Sequence, residues 1–177
     1  PLLLFSYLNP LVRMGLEKFA LAAKNSGIDG VLVTDLPVEE AGDHLKIMRK
    51  AGLDTVFLAA PTSPDERLQA IAEASRGFVY AVSRTGVTGT RQELAADAGG
   101  LVARIKSFTK LPVAVGFGIS NAQHFAEVTR FADAAVVGTA IVQVIENSEP
   151  PRAAEAVHDF VQGLRSATSQ AAQSTTK

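Results

Sequence analysis

A single-domain α/β fold with a parallel sheet is predicted by three observations in this sequence. Six short apolar runs recur along the chain, and each is followed by a longer amphipathic segment. The runs are apolar almost without interruption, as strands covered on both faces by helices must be. The chain has 177 residues, 47% of them hydrophobic, which is enough for one domain with a sizeable core.

The apolar runs are read as strands over Pro1–Tyr7 (PLLLFSY), Gly30–Leu36 (GVLVTDL), Asp54–Ala60 (DTVFLAA), Gly77–Ser83 (GFVYAVS), Leu111–Phe117 (LPVAVGF) and Ala134–Thr139 (AAVVGT). Between the first two, MGLEKFALAAKNSG carries Leu16, Phe19, Ala20 and Ala23 at helical spacing, and Gly27 supplies a stop. PVEEAGDHLKIMRKAG opens with Pro37 and two acids and closes on Arg49, Lys50 and Gly52, the polarity a helix favours. SPDERLQAIAEAS predicts a helix capped by Ser63, with Pro64 at its first position and Glu66 three residues after the cap. ELAADAGGLVARIKSF and SNAQHFAEVTRF follow the same pattern. TAIVQVIE reads as a short extra helix ahead of the last one, PRAAEAVHDFVQGLRS. The small polar end, ATSQAAQSTTK, is expected to be a disordered tail over 167–177, leaving a domain over 1–166. Units repeating every roughly 20 to 35 residues fit either a doubly wound open sheet or a (β/α)8 barrel that lacks two units. The absence of GxGxxG after the first strand weakens the dinucleotide-binding form of the open sheet.

Composition excludes several functions. The net charge is −1 and no basic stripe is present, which argues against nucleic acid. The chain has no Cys, so disulfides, thiolate metal sites and a Cys nucleophile are ruled out, and a cytosolic setting fits. No apolar run approaches the roughly 18 residues of a membrane span. PLLLFSY has no basic n-region and makes a poor signal peptide, and the record is expected to begin inside a longer protein. His44, His124 and His158 fall within helical patterns and are expected on the surface. No His/carboxylate spacing suggests metal.

Glycines mark the chemistry. Gly86 and Gly89 lie past the fourth strand, Gly116 and Gly118 end the fifth, and Gly138 ends the sixth. These are C-terminal strand ends, where sites in barrels and open sheets lie. Bare backbone there lets N–H groups approach an anion, and Thr139 opens a short helix whose N-terminus favours negative charge. Any one glycine is as easily a turn residue. Two such ends on consecutive strands point to a phosphorylated small molecule, without specifying a reaction.

YLNP, VLVTDLPVEE, FLAAPTS, YAVSRTGVTG, GFGIS and VVGTAIV stand in this order between Pro1 and about Ser166. With them the chain resembles the alpha subunit of tryptophan synthase, SRTGVTG and TDLPVEE being the most specific strings. The resemblance implies a (β/α)8 TIM barrel, here incomplete, with six of eight units present as strands three to eight. It implies a lyase of tryptophan biosynthesis that cleaves indole-3-glycerol phosphate to indole and glyceraldehyde 3-phosphate. Tyr80, Phe5 and Leu32 would line the indole pocket, although apolar pocket wall and apolar core look alike in sequence. Arg84 and Thr88 would belong to a lid loop over Val79–Glu93, with Thr88 bonding a catalytic Asp on closure. Gly89, Phe117, Gly118, Gly138 and Thr139 would hold the phosphate, Thr139 standing where the family more often has Ser.

One departure matters. The family's two catalytic carboxylates would lie upstream of Pro1, so no catalytic residue is expected in this chain, and it is expected to be inactive alone. Asp35 in TDLP is the tempting substitute, but a strand-end Asp before a bend readily caps it. With two strands missing, the inner face is expected to open and expose Leu4, Val33 and Val113, so that the isolated chain self-associates. The resemblance implies a beta-subunit partner in an alpha2beta2 complex, docked near YLNP and TDLP, and no cofactor in this chain, pyridoxal phosphate belonging to the beta subunit. Two alternatives stay open: a non-catalytic subunit that docks on and regulates a beta chain, or another phosphate-sugar barrel.

Overall fold

A computed structural model describes residues 1–82, 91–116 and 118–174, and the description of side chains excludes residues 91–96 and 167–174. The apolar runs form parallel strands: β1 (Leu3–Ser6), β2 (Gly30–Val33), β3 (Asp54–Val56), β4 (Leu58–Ala59), β5 (Val79–Val82), β6 (Val113–Gly116) and β7 (Ala134–Val136). The third run supplies two strands because it breaks at Phe57. Its first half pairs with β2 and its second with β5, and the Phe57 carbonyl accepts the Tyr80 N–H at 3.1 Å. This kinked segment joins the sheet β1-β2-β3 to the sheet β4-β5-β6-β7.

Strand neighbours therefore follow chain order with no reversal. Parallel crossovers are right-handed, so strands always added on one side place every helix on the same face, as in a barrel. A doubly wound sheet needs a point where the order reverses, and none occurs among the described strands. The fold is that of an incomplete (β/α)8 barrel. Among the described residues, β1 and β7 each have one strand neighbour.

Among the described residues, eight α-helices follow the strands: α1 (Leu8–Met14), α2 (Leu16–Asn25), α3 (Gly42–Lys50), α4 (Asp65–Ala74), α5 (Arg91–Phe108), α6 (Ala122–Val128), α7 (Thr139–Glu146) and α8 (Ala153–Ser174). The helix α1 was not foreseen from the sequence. It is set off from α2 by Gly15 at φ +88°, a backbone conformation that favours glycine. Gly27 and Gly52 end α2 and α3 with φ of +79° and +69°, as their positions suggested. Ser63 does not cap α4: its hydroxyl accepts the Ala60 N–H at 3.2 Å, and extended Pro64 precedes the first turn instead.

The main core lies between sheet and helices. Val31, Val33, Val79, Ala81, Val113 and Val115 pack there with Phe19, Met48, Leu68, Ile71, Leu101 and Ile105. Val33 and Val113 thus face the helices, and Leu4 packs against the same core, rather than opening on the inner face. The inner face carries the alternate residues Leu3, Phe5, Leu32, Val56, Tyr80 and Ala114. Strands apolar on both faces carry no parity signal, which is why the expectation chose the wrong set.

The strand starts are closed by a repeated clasp. Asp29 donates its N–H to the Leu2 carbonyl (2.9 Å) while its carboxylate accepts the Leu2 N–H (2.7 Å). Asp133 does the same with Val113, at 3.1 and 2.8 Å, and adds an ion pair to Lys106 at 3.0 Å. In each case the Asp immediately precedes a strand and fixes its register against the neighbouring one.

Candidate functional site

On the inner face of the sheets, the register gathers the apolar candidates. Phe5 is level with Leu32 and Val56, and Tyr80 is level with Leu58 and Ala114. Phe5 and Tyr80 reach each other from the two sheets with ring centroids 6.4 Å apart and planes at 62°. This is an edge-to-face pair, a favoured aromatic geometry. Phe5 remains 59% exposed, Tyr80 is half-buried and Leu32 is fully buried. The exposed ring of Phe5 is a surface that an aromatic ligand could cover.

Gly116 makes room for Tyr80. A Cβ at Gly116 would stand 2.6 Å from Tyr80 Cε1 and Cζ, so the phenol occupies the space a side chain would fill. Burial pushes the Tyr80 hydroxyl pKa up from an ordinary value at which the group is already a neutral donor at physiological pH. This Tyr–Gly contact was not identified in the sequence, because no local spacing encodes a contact across strands.

The glycine ends lie side by side. Gly116 pairs with Val136, so Gly118 and Gly138 each sit two residues beyond paired positions on adjacent strands. Gly118 has φ +38° and is exposed. Gly138 precedes α7, with φ −114°, and a Cβ there would meet nothing within 4 Å. A positive φ is therefore not the reason for glycine at 138. Its carbonyl accepts the N–H groups of Ile141 and Val142 at 2.9 and 3.2 Å. The N–H groups of Thr139 and Ala140 begin the helix, where intrahelical acceptors do not exist. Thr139 is exposed. GFGIS does not open its helix directly: α6 starts at Ala122 and is capped by the Asn121 side chain, which accepts the His124 N–H at 2.9 Å.

Other predicted residues resolve differently. Asp35 Oδ1 accepts the Leu8 N–H at 2.7 Å and so caps α1, which ties the YLNP and TDLP segments together. Thr34 N–H reinforces this by donating to the Ser6 carbonyl at 3.0 Å. His44 and His124 are buried, at 4% and 8% exposure, contrary to the expectation of surface positions, while His158 is exposed. His124 is drawn in by Ser120 and Asn121, and His44 by the core side of α3. Burial lowers the His44 pKa, and its Nδ1 has no hydrogen-bond partner among the described residues. Arg84, Thr88, Gly89 and Phe117 lie outside the described residues. Among the described residues, no group of three or more His, Asp or Glu side chains is placed to hold a metal, and no helix is long and apolar enough to cross a membrane.

The arrangement offers an aromatic wall beside two glycine strand ends and the first turn of a helix. Comparisons with known proteins give it a family. The family model described as tryptophan synthase alpha chain matches residues 1–172. A tryptophan synthase alpha chain from Solibacter usitatus is 52% identical over 155 residues, covering 88% of this chain and 58% of that protein. One from Methanocaldococcus jannaschii is 47% identical over 146 residues, covering 82% and 52%. Among solved structures, a chain of the tryptophan synthase a2b2 complex from Pyrococcus furiosus aligns with a TM-score of 0.84 at 42% identity, covering 94% of this chain and 67% of that one. A chain of tryptophan synthase from M. tuberculosis aligns with a TM-score of 0.79 at 35% identity, covering 91% and 60%. The chain spans between 52% and 64% of the length of these and similar curated relatives.

Proposed function

We propose, from the premise that the chain belongs to the tryptophan synthase alpha-chain family, that it supplies the substrate-holding part of a lyase that cleaves indole-3-glycerol phosphate to indole and glyceraldehyde 3-phosphate. The observation that carries this reading is the edge-to-face pair of Phe5 and Tyr80 near the strand ends that carry Gly118, Gly138 and Thr139. An indole ring stacks or packs edge-on against such a pair, and fully buried Leu32, level with Phe5, backs the wall from the core. The phosphate takes backbone N–H groups at Gly118, Gly138 and Thr139, with Gly89 and Phe117 completing the cradle and the Thr139 hydroxyl as a further donor.

Retro-aldol cleavage also moves protons, and this needs a general acid–base. Three acidic groups near the strand tops are engaged elsewhere: Asp35 with the Leu8 N–H, Glu39 with Arg67, and Asp65 with Arg104. Proton transfer is assigned to the family's two carboxylates, which lie outside this sequence, and residues 1–177 alone bind without turnover. Arg84 and Thr88 are assigned to the loop that closes over the ligand. The Asp35 tie between YLNP and TDLP forms a fixed surface for a beta-subunit partner in an alpha2beta2 assembly. No cofactor is required of this chain, and a cytosolic setting agrees with its lack of Cys.

The test is calorimetric titration with indole and with glycerol 3-phosphate, each competed by indole-3-glycerol phosphate. The substrate should displace both, since it spans both halves of the cleft. Displacement of neither ligand would remove the proposal.

A further inference from the structure

The turn that joins β4 to α4, Ala60–Pro64, is held more firmly than an exposed connection needs. It closes on itself first. The Ser63 N–H donates to the Ala60 carbonyl at 2.9 Å, and the Ala60 N–H donates back to Ser63 Oγ at 3.2 Å. A residue of a neighbouring helix then takes hold of it. Arg104 of α5 donates from Nη1 to the Pro61 carbonyl at 3.3 Å and from Nη2 to the Ser63 carbonyl at 2.7 Å. Its Nε and Nη2 also donate to Asp65 Oδ1, at 2.9 and 2.6 Å. Every nitrogen of the guanidinium is thus directed at one short segment, in which Pro61 and Pro64 already fix φ. Stability is a weak reason for this. The Arg104 and Asp65 side chains are 39% and 64% exposed, and ion pairs so open to solvent add little. Ordering a long Arg side chain also costs entropy. What the clamp does supply is a fixed geometry.

The turn is tied sideways as well. Arg67, in the first turn of α4, meets Glu39 at 3.3 Å, and Glu39 stands just past TDLP. Asp35 of TDLP in turn accepts the Leu8 N–H of YLNP. Side-chain bonds therefore join the segments that follow β1, β2 and β4 into one continuous rim, exposed at Asn9, Glu39, Thr62 and Pro64. Arg67 and Arg104 reach this rim from the helix layer, whereas Phe5 and Tyr80 meet on the inner face. The clamp thus serves the outer rim and leaves the small-molecule cleft alone. We propose that the beta-subunit surface extends along the rim to the Ala60–Pro64 turn, and that Arg104 is the positioning residue that preforms this third segment. The inference rests on the docking reading of YLNP and TDLP above and lengthens that surface by one strand top. A segment fixed before the partner arrives loses less entropy on association, so it binds more tightly than the same segment left loose.

The experiment titrates the chain and its variants with the b2 component of the Pyrococcus furiosus complex, with glycerol 3-phosphate titration and thermal unfolding alongside. Thr62→Trp sets a bulky ring at the exposed tip of the turn without touching the clamp. It should weaken b2 binding about tenfold or more. Arg104→Ala loosens the turn and should weaken b2 binding about fivefold. Arg104→Lys should not restore it, because one ammonium cannot span the Pro61 and Ser63 carbonyls and Asp65 together. Glycerol 3-phosphate affinity should stay the same in all three variants, which a general loss of structure would not allow. Unchanged b2 affinity in Thr62→Trp or in Arg104→Ala overturns the proposal, as does an equal loss of both affinities in Arg104→Ala. Thr62 is exposed, so that variant reads the surface even where Arg104→Ala disturbs folding. Asn9→Arg separates the two levels, since it adds bulk and charge within YLNP. If it weakens b2 binding while Thr62→Trp does not, only the extension to the turn falls. If neither variant weakens it, or the parent chain does not bind b2, the docking reading falls with it.

Discussion

The two ends of the strands use similar residues for opposite purposes. At the N-terminal ends, Gly30 is buried, and a Cβ would stand 3.0 Å from both the Asp54 carbonyl and Leu3 Cδ1. Glycine is required there by packing. At the C-terminal ends, a Cβ on Gly138 would meet nothing within 4 Å, and its φ is negative. Nothing in the surrounding protein described here demands glycine at that position. The carboxylates divide in the same way. Asp29 and Asp133 clasp neighbouring strands through paired bonds, whereas Asp35 caps a helix at the end where the candidate site lies. The contrast matches the division of labour in barrels, in which one end maintains the fold and the other binds and reacts.

Gly30→Val is the strongest test of the packing end. Its nearest obstacle is backbone, which cannot step aside, so overpacking should cost about 2 to 3 kcal/mol of stability. Chemical denaturation would show this as a lower midpoint at unchanged slope. Glycerol 3-phosphate affinity, corrected for the folded fraction, should not change. A Gly30→Val protein as stable as the parent would mean that this end is less tightly packed than the contacts imply.

Gly138→Val is the mirror experiment. The side chain has room in the protein, so stability should shift little, within about 0.5 kcal/mol. Affinity for glycerol 3-phosphate should fall about tenfold or more, equivalent to about 1.4 kcal/mol, because the added carbons occupy the approach to the Thr139 N–H. Calorimetric titration decides it. A stability loss without an affinity loss would reverse the contrast between the ends.

These two glycines also show what the sequence made legible. Runs such as GVLV and VAVG are apolar on both faces, and that property alone gave parallel strands under helices. The positions of Gly118 and Gly138 just past such runs marked the strand ends at which an anion site is proposed. The same property hid which face each side chain takes, so Leu4, Val33 and Val113 were assigned to the wrong side. The break at Phe57 was also hidden, because an apolar run looks continuous whether or not its hydrogen bonds change partner midway. The Phe5–Tyr80 pair joins residues far apart in the chain, and only the family resemblance brought them to one pocket. A local signal for His124 did exist and was missed. Asn121 stands three residues before it, the spacing at which an N-cap residue and a polar side chain in the first turn bond each other.

Asp133→Ala tests the clasp, with a smaller effect. It leaves the Val113 N–H without its carboxylate, a loss of about 1 kcal/mol, while the half-exposed pair with Lys106 adds little after solvent screening. The pH dependence has a definite sign. The Val113 N–H first, then Lys106, hold the Asp133 pKa below the usual carboxylate value. The unfolded chain therefore takes up the proton first on acidification. The clasp's contribution is full above about pH 3.9 and fades as pH falls through the depressed folded value. Denaturation midpoints of parent and variant should converge at low pH and remain separated at neutral pH.

His44 places the same argument at the other end and in a different pH window. It lies in the first turn of α3, and helices that follow parallel strands begin near the strands' C-terminal ends. The ring is buried, Nδ1 has no partner among the described residues, and burial lowers its pKa. Here the unfolded chain binds the proton first as pH falls through about 6.5, the ordinary imidazole value. Stability is full above that pH and declines below it until the folded pKa is reached, by no more than about 1.4 kcal/mol per pH unit. His44→Leu removes both the titrating group and the unpaired nitrogen. At pH 7.5 its stability should lie within about 1 kcal/mol of the parent, since the lost polar atom and the altered packing act in opposite directions. Between pH 6.5 and pH 5 the parent should lose stability and the variant should lose less. The comparison is made by urea denaturation at half-unit steps, with the difference between the two curves as the quantity read. Two parallel curves through that window would show that His44 is not what makes this end acid-sensitive. A divergence there, with the Asp133 effect confined below about pH 4, would separate the binding end from the packing end by pH alone.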